Sequence, residues 1–517
     1  MAAVNKINAN VVEINYAEEE SIKTLPTTPV WYNLQPNTVT DFGGNVAKTP
    51  RKFFTADRQR RKGQTTDLDA AGSLNHDMVQ EGLQRLMQGF FFASFRCKPE
   101  TGGIADAGVI TEVNATNEYV RTTGSFVTDG YAVGDMIYVS GCDTAANNGL
   151  KTVKTVTALE LEVDQTLVAE TPSGSPKIVM CGHQFASNDL SVDASTGDLP
   201  RLVSAAYTMT DLGLVPGETI YIGGDASGTY FAGTYNGGFA RVRSVTATYI
   251  ELDKTEGTMT DETTSGGETV QVFMGRVIKN ETGTDIVRRT YNIERKLGAP
   301  DDASPSDIQA EYITGAVPSE LTVNIPTADI AKLDLSFMAL DFEQNDSTTG
   351  IKTGTRVAAT EEEAYNTSSN VPRIKIAIVS STDAAPTALF AFAEEVILSI
   401  NNNISADKAI GVLGGFDATH GTFDVSGNIT AYFADIASVE AVRNNSDVTL
   451  ELHLVRDNYG ISIDVPLLAL GDGRLNVEQD KSIKLPLSYD AATGASIDTG
   501  LNHTLMMVYW DYLPDVA

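Results

Sequence analysis

Two stretches of the chain share one order of hydrophobic and polar positions. In residues 66–92, apolar and acidic side chains first alternate through Asp67–Ala70, and this period of two predicts a half-buried strand. Gly72 is predicted to end that strand. Apolar positions then recur with a period near 3.6 as far as Gly89, which is typical of an amphipathic helix that a glycine ends. We therefore predict a strand, a turn and a helix in this stretch.

The same order returns in residues 421–445. The segment Phe423–Ser426 alternates, Gly427 takes the place of Gly72, and the two glycines stand 355 positions apart. The helical stripe that follows is carried by four apolar residues, Phe433, Ile436, Val439 and Val442. A recurring strand, glycine turn and helix predict an internal duplication of one domain.

Residues 104–278 contain a second, shorter repeat. Gly134, in the run YAVGDMIYV, aligns with Gly217, in LVPGETIYI, at a distance of 83 positions. Further on, Asn148–Val156 resembles Gly237–Val245 at a distance of 89 positions. Short alternating strands joined by Gly, Asn and Asp turns predict two small all-β modules. Because insertions are tolerated at exposed loop tips, we expect these modules to project outward from a loop of the first domain.

At 517 residues, the chain exceeds what one hydrophobic core usually supports. We predict a mainly β fold with two duplicated β-sandwich domains, each with a flanking helix, and tandem small β-modules inserted in the first. The polar N-terminal segment is predicted to be an arm, either disordered or ordered on a neighbouring subunit. The predicted boundaries are 1–30 for the arm, 31–103 plus 279–345 for the first domain, 104–185 and 186–278 for the modules, 346–370 for a linker, and 371–517 for the second domain.

The charge balance disfavours two classes of binding partner. The formal net charge is −31 and the pI is about 4.4, so most of the surface repels nucleic acid and anionic membranes. One basic run, Arg58–Lys62, is predicted to pair with an acidic neighbour in an assembly, the alternative being a phosphate contact. The chain has no apolar signal core and no run near 18 apolar residues, so we expect synthesis in the cytoplasm without membrane insertion.

A search for reactive constellations yields little. The five histidines have no metal-ligand spacing, and there is no phosphate loop and no nucleophile elbow. His453 falls on the polar face of a predicted strand, where a solvated side chain is expected. The acidic segment 471–480 lacks the order of a calcium loop and is predicted to be a hairpin loop. We therefore predict no catalytic residue, no cofactor and no metal, and hence no enzyme.

Many positions resemble one family. The segments similar to the start of tail tube proteins of long-tailed, non-contractile, siphovirus-like bacteriophages are Trp31–Asn37, Asp41–Gly44, Arg58–Gly63, Asp67–Gly72 and Leu83–Phe91. Near the C-terminus, Asp424–Gly427 and Asp447–Pro466 resemble a second half of the same kind. The resemblance covers most of residues 28–100 and 280–517.

This resemblance implies a structural virion protein that polymerises into stacked rings around a lumen for genomic DNA. A duplicated chain then implies trimeric, pseudo-hexameric rings, with an acidic lumen that lets double-stranded DNA pass during ejection without sticking. The implied partners are further copies, the tape measure protein and the tail terminator. The location implied is the phage tail. The residues predicted to serve assembly are Trp31, Tyr32, Arg58, Arg60, Arg61, Phe90 and Phe91.

Three other functions remain open at this stage. The chain could be another tail ring component, such as a terminator or a hub. The inserted modules could bind host-surface glycans weakly, with Tyr138, Tyr221, Tyr230 and Tyr235 as stacking residues, although tyrosines on alternating strands more often pack. A cell-wall hydrolase is disfavoured because no acid–base pair stands out.

Overall fold

The computed structural model describes residues 6–7, 9–54, 59–96, 98–102, 109–299, 308–346, 350–359 and 361–515. These residues are mainly β, and the chain divides into two compact units. Unit 1 comprises Met1–Ser94, Asn280–Ser368 and Glu394–Thr430. Unit 2 comprises Phe95–Lys279, Ser369–Ala393 and Ala431–Ala517. Unit 2 therefore contains both the predicted modules and most of the predicted second domain.

The elements are numbered in chain order. The strands are β1 (Glu13–Glu18), β2 (Val30–Leu34), β3 (Thr38–Pro50), β4 (Gly63–Asp77), β5 (Glu100–Gly102), β6 (Ile110–Asn114), β7 (Glu118–Arg121), β8 (Asp135–Ser140), β9 (Gly149–Val156), β10 (Glu160–Val163), β11 (Lys177–Gln184), β12 (Leu190–Asp193), β13 (Arg201–Ser204), β14 (Thr219–Ile222), β15 (Gly238–Val245), β16 (Tyr249–Asp253), β17 (Glu262–Thr263), β18 (Gln271–Phe273), β19 (Arg276–Lys279), β20 (Tyr291–Gly298), β21 (Gln309–Pro326), β22 (Lys332–Ala339), β23 (Asp341–Asp346), β24 (Thr355–Val357), β25 (Arg373–Ile378), β26 (Ala393–Asn401), β27 (Ser405–Asp407), β28 (Asp417–Thr419), β29 (Asp424–Tyr432), β30 (Val448–Arg456), β31 (Tyr459–Asp472), β32 (Lys484–Ala492) and β33 (Met506–Trp510). The α-helices are α1 (Gln84–Phe91), α2 (Phe126–Asp129) and α3 (Ala437–Arg443).

Unit 1 is built around the long strand β21. Its first half pairs with β20 and β23, and its second half pairs with β22 and β26, all antiparallel. β4 lies between β3 and β22. A single strand therefore has four antiparallel neighbours, two along each half of its length.

The N-terminal segment belongs to the unit 1 sheet. β1 pairs with β2 on one edge and with β20 on the other, and its four central residues are buried. The prediction of an arm over residues 1–30 therefore does not hold for β1. Side chains on both faces of β1 are buried, so the strand lacks the alternation of apolar and polar residues that marks a half-buried strand in a sequence. Buried Asn15 donates a hydrogen bond to Glu294 instead of facing water.

The predicted linker also takes part in unit 1. β24 pairs in parallel with β2, and Trp31 Nε1 donates to the carbonyl of Thr353 at 3.0 Å. Tyr365 is fully buried and donates to Gln80 Oε1 at 2.6 Å. The polar composition of residues 346–370 predicts a linker, but a few anchoring side chains suffice to fix such a segment along a packed surface.

The predicted strand and helix of residues 66–92 occur in order but with other limits. β4 continues past Gly72, where a Cβ would lie 2.7 Å from Ile313 Cδ1. α1 likewise continues past Gly89, where a Cβ would lie 2.6 Å from Tyr291 Oη. Both glycines thus permit close packing inside an element, and neither ends one. The helix ends at Phe91, and the capping residue after it, Phe92, has a left-handed φ of 48°.

The second predicted strand and helix show a similar departure. β29 runs through Gly427, and α3 follows it. α3 buries Ser438 and Ala441, whereas Ile436, which precedes the helix, is exposed. The predicted apolar stripe is therefore wrong, because the helix starts later than the periodicity indicates and turns a different face inward.

Strands β6 to β19 of unit 2, called the inserted region below after the prediction for residues 104–278, include two runs of six strands. The strand orders β6–β7–β10–β9–β8–β11 and β12–β13–β16–β15–β14–β18 are the same, and β11 pairs with β18. The aligned glycines Gly134 and Gly217 have φ values of 90° and 96°, a region that favours glycine. The last strand of the region, β19, pairs with β33 and so extends the C-terminal sheet β25–β30–β31–β33.

Candidate assembly surfaces and a buried ionic cluster

The polar face of β30 is buried, contrary to its sequence pattern. Alternation along Val448–Arg456 is typical of a strand with one wet face, yet eight of its nine residues are buried. Phe239 of the inserted region stacks on His453 with a centroid distance of 4.0 Å. The prediction of a solvated His453 is therefore wrong. The inserted region covers this face of the C-terminal sheet, so within unit 2 the modules are docked and do not simply project outward.

Asp464, on β31, is the centre of a charged cluster under this cover. Its carboxylate accepts a hydrogen bond from Arg241 Nη1 at 3.2 Å and pairs with the ammonium of Lys254. Arg241 also holds Asp253 through two parallel bonds of 2.8 and 2.7 Å, and Arg243 Nη1 reaches the same carboxylate at 2.5 Å. The bidentate pairing with Asp253 fixes the orientation of the Arg241 guanidinium within the inserted region. The contacts of Arg241 Nη1 and Lys254 with Asp464 then join this region to the C-terminal sheet.

A second group of polar side chains continues from β30. Glu451 pairs with Arg373 Nη2 at 2.9 Å and lies 3.1 Å from His453 Nε2. The hydroxyl of Ser462 accepts from Trp510 Nε1 at 2.8 Å and lies 2.8 Å from His453 Nδ1. Most polar atoms in this interior therefore have partners, which is the condition for burying charge without a large penalty.

The neighbouring cations hold two of these carboxylates, Glu451 and Asp464, ionised. Burial by itself would raise the pKa of Glu451, but Arg373, His453 and Lys254 outweigh burial and lower it to about 2. Burial acts in the same direction on Asp464, and the charges of Lys254 and Arg241 again lower its pKa well below the usual range. Burial lowers the pKa of His503, which lies 3.9 Å from Asp464. The imidazole is therefore held neutral beside this cluster.

These shifts predict that unit 2 loses stability in acid. A carboxyl or imidazole with a lowered folded pKa binds protons more readily when unfolded, so its contribution is present above the unfolded value and is lost as pH falls. Loss should begin below about 6.5 through His503 and steepen below about 4 through Asp464 and Glu451. Thermal unfolding of a Trp31→Phe variant, followed by Trp510 fluorescence between neutral pH and pH 3, measures this. A melting temperature that stays constant over that range would contradict the expected linkage.

The predicted assembly residues divide into two groups. Trp31, Phe90 and Phe91 are buried in the unit 1 core, and Tyr32 is half-buried beneath the guanidinium of Arg85. Arg60 and Arg61 are exposed. Arg58 lies outside the described residues. The three core aromatics therefore contribute to the packing of the unit itself, and Arg60 and Arg61 are placed where another molecule can reach them.

The basic residues lie at the end of the β3–β4 hairpin. Phe53 is exposed, with the guanidinium carbons of Arg51 and Arg61 at 5.1 and 5.7 Å from its ring centre. Phe54 is fully exposed beside it. A tip that is both cationic and aromatic stands out on a chain with a net charge of −31, and it is suited to contact an acidic surface.

Of the four tyrosines considered for glycan stacking, two are packed against other aromatic rings and two are exposed. Tyr138 packs against Tyr512 with centroids 5.8 Å apart, and Tyr221 meets Phe239 edge-on at 5.0 Å. Tyr230 and Tyr235 are exposed.

Among the residues that the structure describes, no group of three or more His, Cys, Asp or Glu side chains is arranged to hold a metal, and no helix is long and apolar enough to cross a membrane.

A comparison with known families decides the identity. A family model described as phage tail tube protein matches residues 9–491, which is nearly the whole chain. The chain belongs to the phage tail tube protein family. The match confirms the resemblance drawn from the segments around Trp31 and Asp67–Gly72, and no curated protein matches this tail tube protein.

Membership gives the coarse function. A tail tube protein is a structural component of the bacteriophage tail, and it assembles with further copies of itself into the tube. The mainly β architecture of both units fits this role. The exposed basic tip of the β3–β4 hairpin is therefore a candidate contact between copies of this tail tube protein.

Proposed function

We propose that this tail tube protein assembles as trimeric rings in which each chain supplies two tube domains. The rings stack into a tube whose acidic lumen lets double-stranded DNA pass during ejection. The observation that carries the proposal is a hairpin present twice in the chain. Strands β21 and β22 pair Asn324 with Lys332, and their counterparts beside β31 and β32 pair Asn476 with Lys484. The positions differ by 152 in both cases.

The side chains around these hairpins agree with the pairing. Leu333, Leu335 and Ser336 stand where Leu485, Leu487 and Ser488 stand 152 positions later. Both long strands also serve two neighbours in turn. β21 pairs with β20 and then β22, while β31 pairs with β30 and then β32. A shared strand order with shared residues supports the duplication of one tube domain.

The two offsets support an insertion in the first copy. β4 ends at Asp77 and β29 at Tyr432, 355 positions apart, whereas the later hairpins are 152 apart. The first copy is thus longer by about 200 residues between its helix and its next strand. The inserted modules occupy that interval, so one duplication followed by one insertion accounts for the order of elements.

The charge supports the proposed passage of DNA. A net charge of −31 makes carboxylates abundant on most faces, and a lumen lined by them repels phosphate so that DNA slides without binding. By family analogy, the tape measure protein occupies the lumen before ejection and a tail terminator closes the tube. The basic tip of the β3–β4 hairpin would contact an acidic face of the next ring. Synthesis takes place in the host cytoplasm, and no catalytic role is proposed.

Negative-stain electron microscopy of purified protein at rising concentration tests this proposal. We expect rings that stack into tubes with an open lumen, and three-fold symmetry in averaged end views. Single rings that never stack would favour the second candidate, a tail terminator or hub. Monomers that never associate at any concentration would contradict the proposed function.

A further inference from the structure

The end of the β31–β32 hairpin exposes apolar side chains whose counterparts in the other hairpin are buried. With the offset of 152 positions, Leu475 corresponds to Val323 and Val477 to Ile325. Leu475 and Val477 are 39% and 68% exposed. Val323 and Ile325 are 1% and 4% exposed. The same position in one fold is therefore covered in unit 1 and uncovered in unit 2.

The cover in unit 1 is a strand from the second copy of the repeat. β26 pairs with the end of β21 from Glu320↔Asn401 to Pro326↔Glu395. Its side chains Val396, Leu398 and Ile400 are buried. Residues 473–483 of the other hairpin lack regular strand structure apart from the bridge between Asn476 and Lys484. An apolar hairpin end that lacks a partner strand is a ready template for strand addition.

The counterpart of β26 in the first copy is β3, and it is uncovered too. The two strands start at positions 38 and 393, again 355 positions apart. The pairing of β3 with β4 uses one edge of β3, and none of its 13 residues is buried. One chain thus carries both halves of a contact that it makes internally only once.

We propose that residues 473–478 of one copy bind the β3 edge of a second copy, repeating between chains the pairing that β21 and β26 make within one. This inference rests on the proposed assembly into rings. The contact joins unlike surfaces head to tail, so it must close into a ring or continue as an open filament. Transferring the pair Pro326↔Glu395 by the two offsets places Glu478 opposite Thr40 of the neighbouring copy.

Replacing the two exposed apolar residues together tests the surface. The double variant Leu475→Asp/Val477→Asp should weaken association about a hundredfold or more, the effect of losing two well-buried interface side chains. The matched control is Val127→Asp/Val133→Asp, which alters two exposed valines of the inserted region and should associate normally. Analytical ultracentrifugation across a concentration series measures association, and thermal unfolding of the monomer should be unchanged in both variants.

A charge exchange tests the register. Thr40→Glu would set two carboxylates opposite each other and should weaken association about threefold, whereas Thr40→Lys should not weaken it. Adding Glu478→Lys to Thr40→Glu should restore association. If the wild type forms tubes and the Leu475→Asp/Val477→Asp variant forms them equally well, this inference is overturned while the proposed function stands. A wild type that never associates overturns both.

Discussion

Replacing Asp464 by alanine is expected to destabilise unit 2 strongly. The carboxylate is buried and is shared by Arg241 and Lys254, so its removal deprives the buried Lys254 ammonium of its paired carboxylate and leaves Arg241 with Asp253. Breaking a buried pair by removing one partner costs about 3–5 kcal/mol. That is a large fraction of the roughly 5–15 kcal/mol that stabilises a typical domain. The variant should therefore lose its cooperative melting transition or show it at a much lower temperature.

The chain offers a clean way to observe this loss. It has two tryptophans, Trp31 in unit 1 and Trp510 in unit 2, and both are buried. In a Trp31→Phe background, emission reports unit 2 alone, so its unfolding in urea can be followed directly. Asp457→Asn is the matched control, because Asp457 is exposed at the turn between β30 and β31. A denaturation midpoint for Asp464→Ala equal to that of the control would show that the buried charges are not coupled.

The sequence was a reliable guide to elements whose burial is decided locally. Alternation around Leu68 predicted part of β4, and the glycine-aligned repeats predicted the same strands in both modules. These patterns survive because one face of each strand meets its own neighbours along the chain. The order of strand and helix held for the same reason, although the limits of α1 and α3 did not.

Other features depended on contacts distant in sequence. The sequence pattern predicts a solvated His453, but Phe239, which lies more than 200 positions earlier, covers it. The sequence around β1 predicts an arm, but β20 pairs with the second edge of this strand. Gly89 reads as a helix end, although Tyr291 is the reason that no side chain fits there. In each case the decisive neighbour comes from another part of the chain, so a periodicity read along the sequence cannot detect it.

The burial of Trp31, Phe90 and Phe91, three of the predicted assembly residues, has a different reason. Large aromatics are enriched both in cores and at interfaces, because each environment rewards burying a big apolar surface. Trp31 and Phe90 therefore satisfy either prediction from sequence, and only their fractional exposure separates the two. The informative surface residues, Leu475 and Val477, sit in a short segment that resembled an ordinary hairpin loop. The proposed contact of these two residues with a second copy is inferred only by comparison with buried Val323 and Ile325.

Phe90→Ala is expected to destabilise unit 1 rather than to abolish assembly alone. The ring is fully buried against Phe337, with centroids 5.4 Å apart, and the Phe90 carbonyl accepts from Asn402 Nδ2 at 2.9 Å. Truncating a buried phenylalanine costs about 3–5 kcal/mol, because the lost apolar contacts leave a cavity. Urea unfolding in a Trp510→Phe background, with Trp31 as the reporter of unit 1, measures this loss.

Phe54→Ala is the matched control, since Phe54 is fully exposed at the β3–β4 tip and its loss should leave the unfolding midpoint unchanged. The pair of variants separates the two roles that an aromatic residue can have in this family. Core membership predicts that Phe90→Ala lowers the midpoint of the isolated monomer at every protein concentration. An unchanged monomer midpoint combined with lost tube formation would instead return Phe90 to the assembly surface, and would contradict its position in the core.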